Sequence, residues 1–215
     1  MAGFNSVLLS TSCFPPVQYF TKLILFEKIY LEQFENFTKQ TYRNRYEIFG
    51  ANGSVSLVVP VVKGRDKKIK IRDLLISYDT DWQRNHWRTL FSAYNSSPFF
   101  EYYQDDIQPF FEKPWKFLFD YNHEILETVC ALLEIEPDID LTDDFEQVPE
   151  NTLNLREAIS PKKHKTAADL NFRPQPYTQV FSERTGFVPN LSILDMLFNE
   201  GPNTISLLEK STVKP

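Results

Sequence analysis

SVLLSTSCFPPVQYFTKLILFEKIYLE, residues Ser6 to Glu32, decides the fold. Ser6 to Cys13 is a short apolar, β-branched run that stops at Phe14-Pro15-Pro16, as a buried strand does on entering a turn. A helix is expected from about Pro16 to Phe26, and Ile29-Tyr30-Leu31-Glu32 reads as a second strand. Strand, helix and strand at this spacing make a β-α-β unit with a parallel, right-handed crossover, the usual start of an α/β sheet. Ligands of such sheets collect beyond the carboxyl ends of the strands, here Ser12 to Pro16 and Glu32 to Phe37. Neither place carries a Gly-rich phosphate loop, so no nucleotide fingerprint is present and no cofactor can be named.

Further along, Tyr46 to Phe49 and Ser54 to Val62 flank Ala51-Asn52-Gly53, a tight-hairpin signal, and Pro60 marks an edge or the end of pairing. Lys63 to Lys70 reads as a solvated basic connector, and Lys70 to Tyr78 alternates as another strand. TDWQRNHWRTLFSAYNSSPFFEYY, Thr80 to Tyr103, then predicts a helical hairpin. Thr80 and Gln83 have capping-box spacing, and Trp87, Leu90, Phe91 and Tyr94 recur on one helical face. Ser97-Pro98 can start the second helix, with Phe100, Tyr103, Ile107 and Phe110 inward. Pro114 to Ile135 is the longest helix candidate, with Asn122 a polar intruder expected to bind a nearby backbone group or, as the alternative, a ligand. Residues 148–176 read as a long irregular excursion with His164 in a charge run. Tyr177 to Phe181 reads as a last strand, and Asn190 to Phe198 as a closing amphipathic helix stopped by Gly201-Pro202. The expected architecture is a single α/β domain over 1–215. In it a mixed, largely parallel sheet (segments 6–13, 28–32, 46–49, 54–62 and 69–77) is covered by helices, with a helical hairpin mid-chain.

Composition bounds the function. A chain of 215 residues can bury a substantial core, and 19 Phe among 15% aromatics point to a core or cleft built of rings. A formal net charge of −6 opposes binding along a phosphate backbone, so nucleic acid is not an expected partner. Cys13 and Cys130 match no CxxC spacing and read as reduced, structural thiols, which places the chain in the cytoplasm. No apolar run approaches the roughly 20 residues of a membrane span. HExxH, CxxC, GxSxG and Walker motifs are absent, and three scattered His offer no metal-ligand spacing.

Against this acidic background FTKQTYRNR, Phe37 to Arg45, concentrates Lys39, Arg43 and Arg45, with Gln40, Tyr42 and Asn44 as hydrogen-bonding partners suited to a sugar, phosphate or carboxylate. The helix beginning at Asp81 can deliver Trp82 and His86 to the same carboxyl edge. The expected site sets Lys39, Arg43 and Arg45 across one cleft from His86 or Trp82, with Glu32 or Glu35 as carboxylate partner and Arg88 and Tyr94 nearby. His86 would act there as base or hydrogen-bond donor. The competing account makes Arg43 and Arg45 structural ion pairs and the rings core.

Four blocks resemble the WbqC-like protein family, especially its Bacteroidetes branch: FPPVQYF at Phe14 to Phe20, KQTYRNR at Lys39 to Arg45, WQRNHWRTLFSAYNSSPFFEYY at Trp82 to Tyr103, and NLSILDMLFNEGP at Asn190 to Pro202. Ser10-Thr11 stands where the commoner pattern has Gln-Pro, and Gln18 where it has Gly. The resemblance implies a bacterial origin and a role in O-antigen or other surface-polysaccharide biosynthesis, with transfer of a small acyl or aminoacyl group to an amino sugar. A non-catalytic sugar or nucleotide-sugar binding protein acting with a pathway partner fits the missing catalytic motif equally well. Either way the expected partner is a small sugar-like or anionic ligand, and nothing in the sequence fixes the oligomeric state.

Overall fold

In the computed structural model, residues 4–62, 68–145, 148–162 and 169–214 are described. The expected connector over 63–70 lies largely outside these residues, and so does His164. In chain order the elements are β1 (Ser6–Ser10), α1 (Val17–Leu25), β2 (Lys28–Glu32), β3 (Arg45–Gly50), β4 (Gly53–Val58), α2 (Trp82–Tyr94), α3 (Phe100–Ile107), α4 (Leu118–Leu132), β5 (Ile139–Leu141), β6 (Thr152–Asn154), α5 (Ser182–Thr185), α6 (Ile193–Glu200) and α7 (Thr204–Ser211).

The fold is α/β. A four-stranded sheet runs in the order β5-β2-β1-β6 with every pairing parallel, and β1 and α1 lead into β2 as the opening stretch requires. Val7, Leu8 and Leu9 are fully buried, because β1 is a central strand covered on both faces. The polar side of α1 is buried too. Lys22, with no exposed surface, is neutralised by Asp169 at 2.7 Å, and Gln18 donates to the same carboxylate at 2.8 Å. Strands β3 and β4 form a separate antiparallel hairpin closed across Ala51-Asn52, with Gly53 at φ 107. The hairpin is tied to the end of β1 through its entry, where the Cys13 N–H donates to the Tyr42 carbonyl at 2.8 Å, and its own ladder continues with the Val59 N–H donating to the Asn44 carbonyl at 2.8 Å.

Several expectations are corrected. The five expected strands do not form one mixed sheet. The parallel sheet takes β5 and β6 from sequence beyond the helical hairpin, and β6 lies within the stretch expected to be irregular. Residues 69–77 are not a strand, because Lys70, Leu75 and Ile76 bridge three different partners (Asn36, Phe117 and Val61) around a 3-10 turn at Ile71–Asp73. Tyr177 to Phe181 is not a strand either; Tyr177 and Gln179 turn their side chains onto Asp195. Helix α2 starts as expected but without the capping box, since Gln83 instead donates to the carbonyls of Phe110 and Lys113. Its buried stripe is Trp82, His86, Leu90, Ala93 and Tyr94, leaving Phe91 46% exposed. The stripe turns this way because Trp82 and His86 pack into a ring cluster with Tyr46, Phe111 and Tyr121, while Trp87 stacks on Phe100 and Phe111 to join the two hairpin helices.

Gly201 ends α6 at φ +53, and a Cβ there would meet Phe99 Cδ1 at 2.5 Å. Left-handed backbone strain and overpacking add, so Gly201→Ala is expected to destabilise the protein by roughly 2–4 kcal/mol in urea unfolding. A loss below about 0.5 kcal/mol, the level of an ordinary surface change, would mean that this close approach does not exist in solution.

Candidate functional site

The strand order creates one special place. From β1 the chain steps to β2 and β5 on one side, then returns to set β6 on the other side of β1. Open α/β sheets bind ligands at such a reversal, beyond the carboxyl ends of the strands. A pocket lies there, lined by Leu9, Ser10, Thr11 and Ser12 at the end of β1, Tyr19 of α1, Tyr42 and Arg43, and Leu155, Arg156 and Ile159 following β6. Its cavity volume is ≈ 10 Å³, room for about one water molecule. Beside it Phe14 holds φ 37, a left-handed conformation costly for a buried aromatic residue, as the chain turns from β1 into α1.

Arg43 is the centre of the site's polar network. Its Nε donates to Glu35 Oε1 at 2.7 Å and its Nη2 to Glu35 Oε2 at 2.5 Å, a two-point clamp between side chains that are each 4% exposed. The same Nη2 reaches Ser10 Oγ at 2.8 Å and Glu157 Oε1 at 2.9 Å. Ser10 Oγ lies 2.8 Å from the Arg156 carbonyl and 3.1 Å from Glu35 Oε2, with either able to take its proton. Burial pushes the Glu35 carboxyl above its ordinary value, the bonds and charge of Arg43 and the Ser10 hydroxyl pull it back, and the charge of Glu32 pushes it up again, for a net upward shift. Glu32, fully buried, accepts from Arg156 Nη1 at 2.8 Å, from the Phe34 N–H at 2.7 Å and from Thr142 Oγ1 at 3.1 Å. Asn122 of α4 fixes the Arg43 backbone by donating to its carbonyl at 2.7 Å, the role expected for that intruding amide.

The structure brings Glu32, Tyr42 and Arg43 together at this edge and leaves the other expected residues elsewhere. Lys39 and Gln40 are exposed on the preceding turn. Asn44 is buried and binds the Val59 carbonyl at 2.8 Å, and Arg45 is half-buried opposite Val58. Arg88 is exposed on α2, and Tyr94 is buried, donating to Asp195 Oδ1 at 2.8 Å and accepting from the Phe49 N–H at 3.0 Å. Trp82 and His86 do not line the pocket. The role expected for His86 has no support in this geometry, because a general base must reach its substrate and this ring is 5% exposed. Its Nδ1 lies 3.2 Å from the Tyr46 hydroxyl, and burial holds its pKa down to about 4 despite a bond to the Val58 backbone. Arg43 makes ion pairs with Glu35 and Glu157 while also lining the pocket.

Arg156 and Glu157 escaped the sequence reading, and Ser10 entered it only as a departure from the family pattern. Each sits at or just beyond the end of a strand, but the strand that presents Arg156 and Glu157 is three residues long and carries no readable alternation. Among the described residues no His, Cys, Asp and Glu cluster could hold a metal ion, and no helix is long and apolar enough to cross a membrane. A second, more open groove of ≈ 640 Å³ runs along α4 to the start of β5, lined in part by His123, Glu127 and Glu134, and contains none of the expected site residues.

A family model described as the WbqC-like protein family matches residues 11–169 and 161–207. A Mycobacterium tuberculosis protein that carries the name Uncharacterized protein Rv1507c is 29% identical over 208 residues, covering 85% of this chain and 88% of its own length. No solved structure matches the chain.

The buried imidazole makes a pH prediction. Because the folded pKa of His86 lies below its unfolded value, the unfolded chain takes up a proton first as pH falls. Stability should therefore drop between pH 6.5 and about 4, by about 3 kcal/mol from this residue, and level off below. His86→Gln, which cannot titrate, should lessen the drop measured by urea unfolding at pH 7 and pH 4.5; an unchanged drop would show a solvated imidazole.

Proposed function

Since the chain belongs to the WbqC-like protein family, we propose that it binds a sugar-like small molecule at the carboxyl edge of its parallel sheet and transfers a small acyl or aminoacyl group to it, in bacterial surface-polysaccharide biosynthesis. The supporting observation is the network of Arg43, Glu35, Ser10, Glu32 and Arg156 at the strand-order reversal. Buried charges are costly unless paired, and these converge on a pocket beside a strained residue, an arrangement more expected of a binding site than of a core. Planar carboxylates and guanidiniums with a serine hydroxyl offer the donor and acceptor pairs that sugar hydroxyls need. A second reading, binding without turnover for a pathway partner, is favoured by one feature: Arg43 and Glu35 are already engaged with each other rather than free for a reacting group.

Titration calorimetry against a panel of sugars and nucleotide sugars should detect a ligand. Ser10→Ala should weaken its binding about tenfold, the value of one buried hydrogen bond. Incubation with amino sugars and activated acyl donors, followed by mass spectrometry, separates the readings. A product of added acyl mass supports transfer, binding without product selects the second reading, and no binding across the panel contradicts both.

A further inference from the structure

Which part of a ligand can enter the pocket is set by charge and size. Among the described residues of the network, three carboxylates, Glu32, Glu35 and Glu157, stand against two guanidiniums, Arg43 and Arg156. The Arg43 charge is taken up by Glu35 inside and by Glu157 at the mouth, where the Glu157 side chain is 64% exposed. Arg156 is matched by Glu32, donates to the Phe145 carbonyl at 2.9 Å and lies 4.6 Å from the centre of the Phe145 ring. The exposed cation Lys39 does not line the pocket. Of these five only Arg43 and Arg156 line the pocket, and their carboxylate partners outnumber them, so an incoming phosphate or carboxylate would find the guanidinium charge already matched and the network one negative charge in excess. A cavity of ≈ 10 Å³ admits a group the size of water, which a hydroxyl is and a phosphate is not. The lining supplies hydroxyls from Ser10, Thr11 and Ser12, which can both donate and accept.

From this we infer that the pocket takes an uncharged hydroxyl of its ligand and turns anions away, because its guanidiniums are already matched by its own carboxylates. The inference rests on the sugar-binding reading for the identity of the ligand, but its charge argument stands apart from it. Any phosphate or carboxylate on the ligand must then point out of the mouth, away from Arg43, opposite to what the cluster of basic residues in 39–45 suggests by itself.

The test uses calorimetry on the full chain with methyl glycosides, the corresponding uronic acids, and acetate. The wild-type protein should bind a neutral glycoside at least about tenfold more tightly than its uronate, a difference of about 1.4 kcal/mol, and should give no heat with acetate. Glu157→Ala removes a carboxylate whose side chain is 64% exposed, leaves the buried Arg43–Glu35 bonds in place, and opens a space of acetate's own size beside Arg43. That variant should gain saturable acetate binding. A uronate bound as tightly as the neutral glycoside, or a folded Glu157→Ala protein that gains no acetate binding, overturns the inference. Acetate binding gained by the variant with no glycoside bound by either protein upholds the charge argument and instead removes the sugar reading.

Discussion

The ion pair between Arg43 and Glu35 is the constraint on which the arrangement of this protein depends. Both side chains are 4% exposed, so each ion has given up most of its hydration, a cost of several kcal/mol that attraction alone seldom recovers. Recovery here comes from geometry: two hydrogen bonds join the pair, and the remaining N–H of Nη2 is shared between Ser10 and Glu157. Removing either partner would strand a buried charge. The chain therefore has to bring the end of β2, the entry to β3, the end of β1 and the turn after β6 to one point before the pair can form.

That convergence joins two structures that share no strand pairing. The β3–β4 hairpin is not part of the parallel sheet, and the backbone bond from Cys13 to the Tyr42 carbonyl fastens it there. Asn122 adds the long helix α4 by gripping the Arg43 carbonyl, so sheet, hairpin and helix meet at one residue. Asp195 is the counterpart on the far side of the hairpin. With no ion pair to a cation among the described residues, this buried carboxylate accepts from Tyr94, Tyr177 and Gln179 and so fastens the 177–179 segment to α2 and α6. Burial raises its pKa and those three donors lower it, leaving it above the ordinary carboxylate value.

What could be read from the sequence follows from how local each signal is. The β1-α1-β2 unit was legible because a strand buried on both faces has to be continuously apolar, and Val7-Leu8-Leu9 is. The hairpin was legible through the turn chemistry near Gly53, and the helices through their spacing. Strands β5 and β6 were not, since three residues apiece, mostly half-buried or exposed, leave no period to detect. Of the 39–45 cluster, Tyr42 and Arg43 line the candidate pocket while Lys39 and Gln40 stay on an exposed turn, and its charge was misleading. Arg43 looks like a receptor for an external anion only until Glu35, eight residues earlier, and Glu157, far along the chain, are placed beside it. His86 bordered the expected apolar stripe of α2, and nothing local told whether the helix would turn it toward solvent or toward Tyr46.

A double-mutant cycle across Arg43 and Glu35 tests the central claim most directly. Urea unfolding of Arg43→Met, Glu35→Leu and the double variant gives the coupling energy of the pair without reference to any ligand. If the pair is the buried clamp seen here, each single variant should lose about 3–5 kcal/mol and the double variant much less than the sum, for a coupling above about 2 kcal/mol. Losses that add to within about 0.5 kcal/mol would show that the two charges do not depend on each other and would contradict the account.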